Sequence, residues 1–344
     1  MEQQDILSMT LPELQAAVQE LGEPKFRAKQ IFNWLHQKRV TDFSEMTTLS
    51  LPFRERLASD FCINRLKIAK RLASSVDDTV KYLYELPDGN YVETVCMQYH
   101  HGTSLCISTQ VGCRMGCRFC ASAIAGFVRN LTPAEMLLQI YETERAQNCK
   151  ISSLVLMGIG EPLDNFDNVL RFLQLLSDPN GYGMSLRHVT VSTCGVVPKI
   201  LELAEQRLGL TLSVSLHCPN DAGRSAIMPI NRSYPIDVLL DACQTYFEKT
   251  GRRVTFEYAV MDQVNSAEQD AAALAERLKG LHAHVNLIPI NPVKERNFHT
   301  LKKTVLQFKK PLERYGTPAT IRRTLGSDIE AACGQLRRDA IQQT

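Results

Sequence analysis

Residues 104–123 read SLCISTQVGCRMGCRFCASA, and three cysteines inside this stretch, Cys113, Cys117 and Cys120, carry the spacing C-x-x-x-C-x-x-C. Both intervals are short, so three thiolates can point into one loop and wrap one face of a small inorganic cluster. Three thiolates ligate only three irons of a four-iron cluster, which leaves the fourth iron open for another ligand. Zinc sites usually show two separated cysteine pairs or a cysteine–histidine mixture, and no second pair follows here at a suitable distance. Three merely structural cysteines have no reason to crowd into eight residues. The loop also carries Arg114 and Arg118, with Arg129 close behind, and no acid occurs from position 111 to 130. Positive charge there can offset an anionic thiolate-ligated cluster or face phosphate.

Around this loop, from about residue 91 onward, strand-like and helix-like segments alternate. YVETVCMQY and SLCISTQ read as strands leading into the cysteines. Leu131 to Cys149 reads as a helix opened by a capping box of Thr132 and Glu135 around Pro133. SSLVLMG (152–158), HVTVST (188–193), TLSVSLH (211–217), RVTFEYAVM and HVNLIPIN read as further strands, each separated from the next by a helical stretch. Such alternation specifies parallel β/α units. About six repeats is fewer than a closed eight-unit barrel requires, so the expected fold is α/β, an open partial (β/α)6 barrel.

In β/α barrels the chemistry collects at the C-terminal ends of the strands, and distinctive residues fall there. GIGEP follows the strand at 152–158, bringing Gly160 and Glu161. Glycine lets backbone approach a ligand closely, and the carboxylate can accept from an ammonium or a ribose. Ser192, Thr193 and Cys194 end the next strand; Ser215, Leu216 and His217 end the one after; Asn291 follows the last. Each alone reads as structural, but four polar clusters on one rim form a candidate ligand site. Two cysteines stand apart: Cys106, in a strand before the cluster loop, and Cys333, in GSDIEAACGQLRR.

Residues 1–90 read as a smaller helical unit. Thr10 is placed to cap a helix beginning Leu11-Pro12-Glu13, Phe26 to Leu35 repeat apolar residues at helical spacing, and Trp34 reads as core. TVKYLYEL then alternates as a strand. The whole chain of 344 residues, 44% hydrophobic and 22% charged, is long enough for one large domain and a smaller one. No apolar run is long enough to span a membrane, and the acidic N-terminus lacks a signal peptide's basic start. The eleven cysteines, an odd number, argue against a disulfide framework and for a reducing, cytoplasmic setting. Net charge is only +2, but from His299 to Arg323 seven cations (Lys302, Lys303, Lys309, Lys310, Arg314, Arg322, Arg323) face one acid, Glu313. A solvated helix face is the ordinary explanation, and a phosphate-contacting surface the functional one.

The cysteine motif is that of radical S-adenosylmethionine enzymes, and QVGCRMGCRFCAS, GIGEP, STCGVVP, NLIPINP and ACGQL together resemble the RlmN family of RNA adenine-C2 methyltransferases. The resemblance runs from about residue 5 to about residue 338. It implies a [4Fe-4S] cluster on Cys113, Cys117 and Cys120, and S-adenosylmethionine held by Gly160, Glu161, Ser192, Ser215, Leu216, His217 and Asn291. It implies catalysis by Cys333 as methyl carrier, Cys106 as the thiol that resolves a protein–RNA adduct and leaves a disulfide bond, and Glu93 as general base. The resemblance further implies two molecules of S-adenosylmethionine per turnover, one to methylate Cys333 and a second to be cleaved to a radical that abstracts hydrogen from that methyl. The implied substrates are adenine 2503 of 23S rRNA and adenine 37 of tRNA, with an electron donor such as flavodoxin and a monomeric enzyme. The resemblance divides the chain into an RNA-binding accessory domain at 1–90, the barrel at 91–325 and a C-terminal segment at 326–344.

Two other readings stay open from the motifs. A Cfr-like enzyme would methylate C8 of the same adenine with the same cluster and cysteines. A non-catalytic iron–sulfur RNA-binding protein would need the cysteine loop but neither lone cysteine nor the rim residues.

Overall fold

The computed structural model describes residues 3–290, 298–329 and 337. A two-residue strand β1 (Gln4–Asp5) opens the chain and leads to α1 (Leu11–Glu20). Glu13 Oε2 accepts from the Thr10 N–H at 2.8 Å, a capping box, and Pro12 sits in the first turn where its missing N–H costs nothing. α2 (Phe26–Asn33) widens into a π-turn at Trp34–Lys38, α3 (Leu51–Asp60) follows, and β2 (Phe61–Cys62) pairs in parallel with β1. Trp34 is half-buried rather than core: its indole N–H donates to Thr48 Oγ1 at 2.8 Å, and Lys38 Nζ lies 3.5 Å above its ring.

Ten strands then form one sheet. β3 (Lys67–Ala73), β4 (Val80–Glu85), β5 (Tyr91–Tyr99) and β6 (Gly102–Cys106) are an antiparallel meander. The chain makes a small hairpin, β7 (Gln110–Gly112) with β8 (Phe127–Asn130), and enters α4 (Pro133–Gln147). β9 (Ile151–Leu156), α5 (Phe166–Ser177), β10 (Val189–Thr193), α6 (Val197–Glu205), β11 (Thr211–Ser215), α7 (Asp221–Ile227) and α8 (Ile236–Thr250) follow. β12 (Val254–Val260), α9 (Glu268–Leu278), β13 (Ala283–Pro289), α10 (Lys302–Arg314) and β14 (Ala319–Ile321) complete the chain order. The sheet order is β14-β13-β12-β11-β10-β9-β6-β5-β4-β3, and every pair from β6 to β14 is parallel.

From β6 to β13 each parallel strand is followed by a helix, which makes the expected six β/α units. The seventh parallel strand, β14, is an addition. With three residues it is too short to show alternation in the sequence. The N-terminal helices do not have a separate core. Val18, Phe32 and Phe53 belong to the same contiguous apolar cluster as Leu154, Val191 and Leu212 of the sheet. Polar contacts reinforce this junction: Arg171 Nη1 meets Glu13 Oε2 at 2.7 Å, and His36 Nδ1 meets the Tyr141 hydroxyl at 2.9 Å. Arg39 covers the Tyr141 ring and pairs with the buried Glu144. Helix α10 buries Val305, Phe308 and Leu312 and stacks Phe308 on Tyr258, so the lysines of the basic run form its outer face. Among the described residues no helix is long and apolar enough to cross a membrane.

Candidate active site

The β7–β8 pairing closes the cysteine loop at its base. Gln110 lies opposite Asn130 and Gly112 opposite Phe127, and the Cys113 N–H donates to Gly126 O at 3.2 Å. Only glycine fits at 112: its φ is +81°, and a Cβ there would lie 1.7 Å from Gly126 O. The loop's arginines are largely committed to protein partners. Arg114 pairs with Asp164 at 2.9 Å and lies over the Phe127 ring, and Arg129 holds Asp88 and Glu135. Arg118 donates to Ala226 O at 3.3 Å. These guanidiniums brace the loop, which is a different use from the free counter-charge expected of them.

Cys113, Cys117 and Cys120 line one cavity of about 360 Å³ together with Cys106, Gly160, Glu161, Ser192, Ser215 and His217. The cavity lies where the parallel strands end, as the barrel rule requires. Burial pushes the Cys113 thiol up to about 12, and the neighbouring Cys120 adds to the effect. Burial pushes Cys117 up as well, reinforced by Cys120 and Cys113. Desolvation favours the neutral thiol at Cys113 and Cys117, and bound iron would reverse that penalty by stabilising the ionised form. Among the described residues no three His, Cys, Asp or Glu side chains converge tightly enough to hold one metal ion. Donors to separate irons of one cluster need not converge in that way, so the loop fits a cluster better than a single ion.

The rim residues are tied to one another. Glu161 is buried; its Oε1 accepts from the Leu163 N–H at 3.0 Å and its Oε2 from the Cys194 N–H at 2.7 Å, which locks the β9 loop to the end of β10. Burial raises its pKa, against those hydrogen bonds. The glycines nearby allow a backbone to pass: a Cβ at Gly160 would lie 2.7 Å from Gln110 Cβ, and one at Gly158 2.6 Å from Ile107 O. His217, at φ +57°, accepts from the Ala259 N–H at 2.9 Å through Nδ1, which fixes the Nε2–H tautomer. Burial pulls its pKa down to about 3, so the ring is neutral. Leu216 is different. Its side chain is in the apolar core, and only its backbone takes part, the N–H donating to Glu257 O at 3.0 Å.

Glu93 stands outside the cavity lining. It is buried on β5 in an ion pair with Lys81 at 2.9 Å, and its Oε1 accepts from the Arg337 N–H at 2.6 Å. Asn291 and Cys333 lie outside the described residues. Among the described residues no disulfide joins two cysteines.

Two features of the site, Glu257 and Arg224, are absent from the sequence reading, and a third, the Arg322–Arg323 pair of the basic run, takes a different place from the one expected. Glu257 is buried against the cavity, accepting from Ser213 Oγ at 2.7 Å and Asn286 Nδ2 at 2.9 Å. Its signal was a carboxylate in the apolar run RVTFEYAV, opposite Ser215 in register. Arg322 and Arg323 line the cavity mouth just past β14, separate from the α10 lysines. Arg224 is fully buried beneath the rim, and a lone arginine in DAGRSAI gives no sequence signal.

Residues 4–63 match the ribosomal RNA large subunit methyltransferase N-terminal domain, and residues 107–275 match the radical SAM superfamily. Over 344 residues the chain is 51% identical to a protein of Lachnoclostridium phytofermentans named probable dual-specificity RNA methyltransferase RlmN, covering 99% of this chain and 96% of the relative. A protein of the same name from Clostridium novyi is 48% identical over 98% of this chain and 99% of its own. Among solved structures, a radical SAM methyltransferase from Sphaerobacter thermophilus is similar with a TM-score of 0.92 at 40% identity, covering 96% of this chain and 98% of that one. With such identity running end to end, and the cysteine loop seated at the strand ends, the chain belongs to the RlmN family of radical SAM RNA methyltransferases.

Proposed function

We propose that the protein methylates C2 of adenine in RNA, at adenine 2503 of 23S rRNA and adenine 37 of tRNA, with Cys333 as methyl carrier and Cys106 as the releasing thiol. The observation that carries this reading is the single cavity shared by Cys106, the three cluster cysteines and the rim residues. Adenine C2 is an electron-poor carbon without an acidic proton, so polar transfer from a sulfonium has no nucleophile there. In this reading Cys113, Cys117 and Cys120 hold the [4Fe-4S] cluster, and Gly160, Glu161, Ser192, Ser215, Leu216, His217 and Asn291 hold S-adenosylmethionine. When bound, cluster and S-adenosylmethionine supply the methyl group, a low-potential electron and the means to abstract hydrogen, with two S-adenosylmethionine molecules per turnover and an external donor such as flavodoxin.

The chain's own residues bind, orient and exclude water. His217 presents a neutral N–H donor, since Nδ1 is taken by Ala259. Glu161 keeps two rim loops in register through its two backbone acceptances. Met97, Met115, Phe119, Met157 and Met228 give the cavity apolar walls that keep water from reactive intermediates. Cys106 sits among Val95 and Met97 in the same wall. Glu93 is the base in this reading, and its carboxylate is held by Lys81 and the Arg337 N–H.

The test is anaerobic reconstitution with iron and sulfide, then incubation with RNA, S-adenosylmethionine and reductant, and nucleoside mass spectrometry. 2-Methyladenosine is expected. 8-Methyladenosine would replace this regiochemistry with the Cfr-like one. An intact cluster that yields neither methylated nucleoside nor 5′-deoxyadenosine would overturn the enzymatic reading.

A further inference from the structure

Helix α7 lies beneath the rim, and its Arg224 is fully buried. The guanidinium donates from Nε to Leu216 O at 3.2 Å, from Nη2 to Cys194 O at 2.7 Å and Ser215 O at 3.1 Å, and from Nη1 to Asn231 Oδ1 at 2.8 Å. The three carbonyls belong to two different loops, one after β10 and one at the end of β11. The C-terminal end of the same helix receives the cysteine loop, where the Arg118 N–H donates to Ile227 O at 2.8 Å. One short helix therefore fastens together three of the segments assigned above to the cluster and to S-adenosylmethionine.

The charge of Arg224 is unexplained by these bonds, because all four acceptors are neutral. Burying a cation among neutral groups is costly unless opposite charge is close by. Burial pulls the Arg224 pKa down, and the Cys194 and Cys117 sulfurs and the Asp221 carboxylate nearby act against that shift. A cluster carried on the Cys117 thiolate would bring negative charge to that position.

We propose that Arg224 is a positioning residue with two separable effects on the centre. Its planar fork sets the spacing of the Cys194 and Ser215–Leu216 loops, and so the affinity for S-adenosylmethionine. Its charge favours the more negative, reduced form of the cluster, and so raises the reduction potential. This deepens the cluster reading given above and rests on it. Partners one layer behind metal ligands typically contribute 10-fold to 100-fold in affinity or activity, so effects of that order are expected.

Arg224→Lys keeps the charge and loses the fork, since a single ammonium cannot span three carbonyls and an amide. Arg224→Gln and Arg224→Met lose both. Each reconstituted protein is measured for iron and sulfide, for S-adenosylmethionine affinity by anaerobic equilibrium dialysis, and for cluster midpoint potential by redox titration followed by electron paramagnetic resonance. All three variants are expected to bind S-adenosylmethionine about 10-fold more weakly or worse. The potential should stay at the wild-type value in Arg224→Lys and move to more negative values in the neutral variants. Neutral variants that cannot retain a cluster while Arg224→Lys does would also support the charge effect. Wild-type affinity in Arg224→Lys overturns the positioning effect, and equal potentials in the lysine and neutral variants overturn the charge effect. Loss of cluster in all three variants overturns both and leaves Arg224 a folding residue. A wild-type protein that takes up no cluster would instead refute the assignment of the site itself.

Discussion

The backbone N–H of Arg337 donates to Glu93 Oε1 at 2.6 Å, across 244 positions of sequence. The same carboxylate is 2.9 Å from Lys81 Nζ, and both side chains are shut away from solvent. Farther back, Asp328 accepts from the Ser74 hydroxyl at 2.6 Å and from the Ser75 N–H at 2.7 Å. The turn between β3 and β4 and the strand β5 thus grip the C-terminal region at two points.

Removing one member of the Lys81–Glu93 pair takes the opposite charge away from a buried ion. Lys81→Met should destabilise the protein by about 3–5 kcal/mol, measured by urea denaturation. Lys81→Met combined with Glu93→Leu should recover part of that loss. A double variant no more stable than Lys81→Met would show that the cost lies in packing and not in the loss of the opposite charge.

Cys113, Cys117 and Cys120 should be required jointly for the cluster. Each cysteine-to-alanine variant should lose cluster iron and sulfide after reconstitution, while the far-ultraviolet spectrum stays native. Full iron content in all three would remove the assignment.

The lone cysteines should fail at different stages. Cys333→Ala should abolish methyl transfer with the cluster intact. Cys106→Ala should form the bond to RNA but not break it, because release needs a neighbouring thiol to attack the Cys333 sulfur. A denaturing gel with labelled RNA should therefore show a covalent band for Cys106→Ala that disappears when Cys333 is also replaced. Normal release of methylated RNA by Cys106→Ala would eliminate the pairing.

The barrel was legible because its strands from β9 to β13 are buried apolar runs separated by helical periods, and the cysteine loop because its spacing is restrictive. β3 was not. KIAKRLA is almost wholly exposed at the sheet edge, so it shows no buried apolar face that would mark it as a strand. The loop arginines were misjudged because their partners Asp88, Glu135 and Asp164 are remote or lie past the acid-free window. Arg224 and Glu257 are set by strand register and helix placement, which a sequence read one segment at a time does not supply.

His36 is buried with its pKa down to about 4, because burial disfavours the charged ring. The unfolded chain, titrating near 6.5, binds more protons between those values. The contribution of neutral His36 is then complete above about pH 6.5 and is lost as pH falls toward 4. The stability advantage of wild type over His36→Gln should shrink by about 3 kcal/mol across that interval, read by denaturant titration at each pH. A pH-independent difference would mean that His36 titrates normally in the fold.

Lys302, Lys303 and Lys310 are exposed on α10, while Lys309 is paired with Glu313 at 2.9 Å. If this face meets RNA backbone, reversing the three exposed charges should weaken binding and make the dependence of log affinity on log salt shallower. The slope should fall by about 0.7–0.9 for each phosphate that is no longer neutralised. An unchanged slope would show a solvated face only.

The sheet order has a consequence for how the protein is made. Strands β3 to β6 and β9 to β14 lie side by side in the order in which they are synthesised, interrupted only by the small β7–β8 hairpin. Among the described residues no strand of this sheet waits for a later one to be inserted beside it. Each unit can add to the edge left by its predecessor as the chain leaves the ribosome, the N-terminal part first. The growing edge is always the newest strand, so the nascent sheet never has to reopen to admit the rest of the chain.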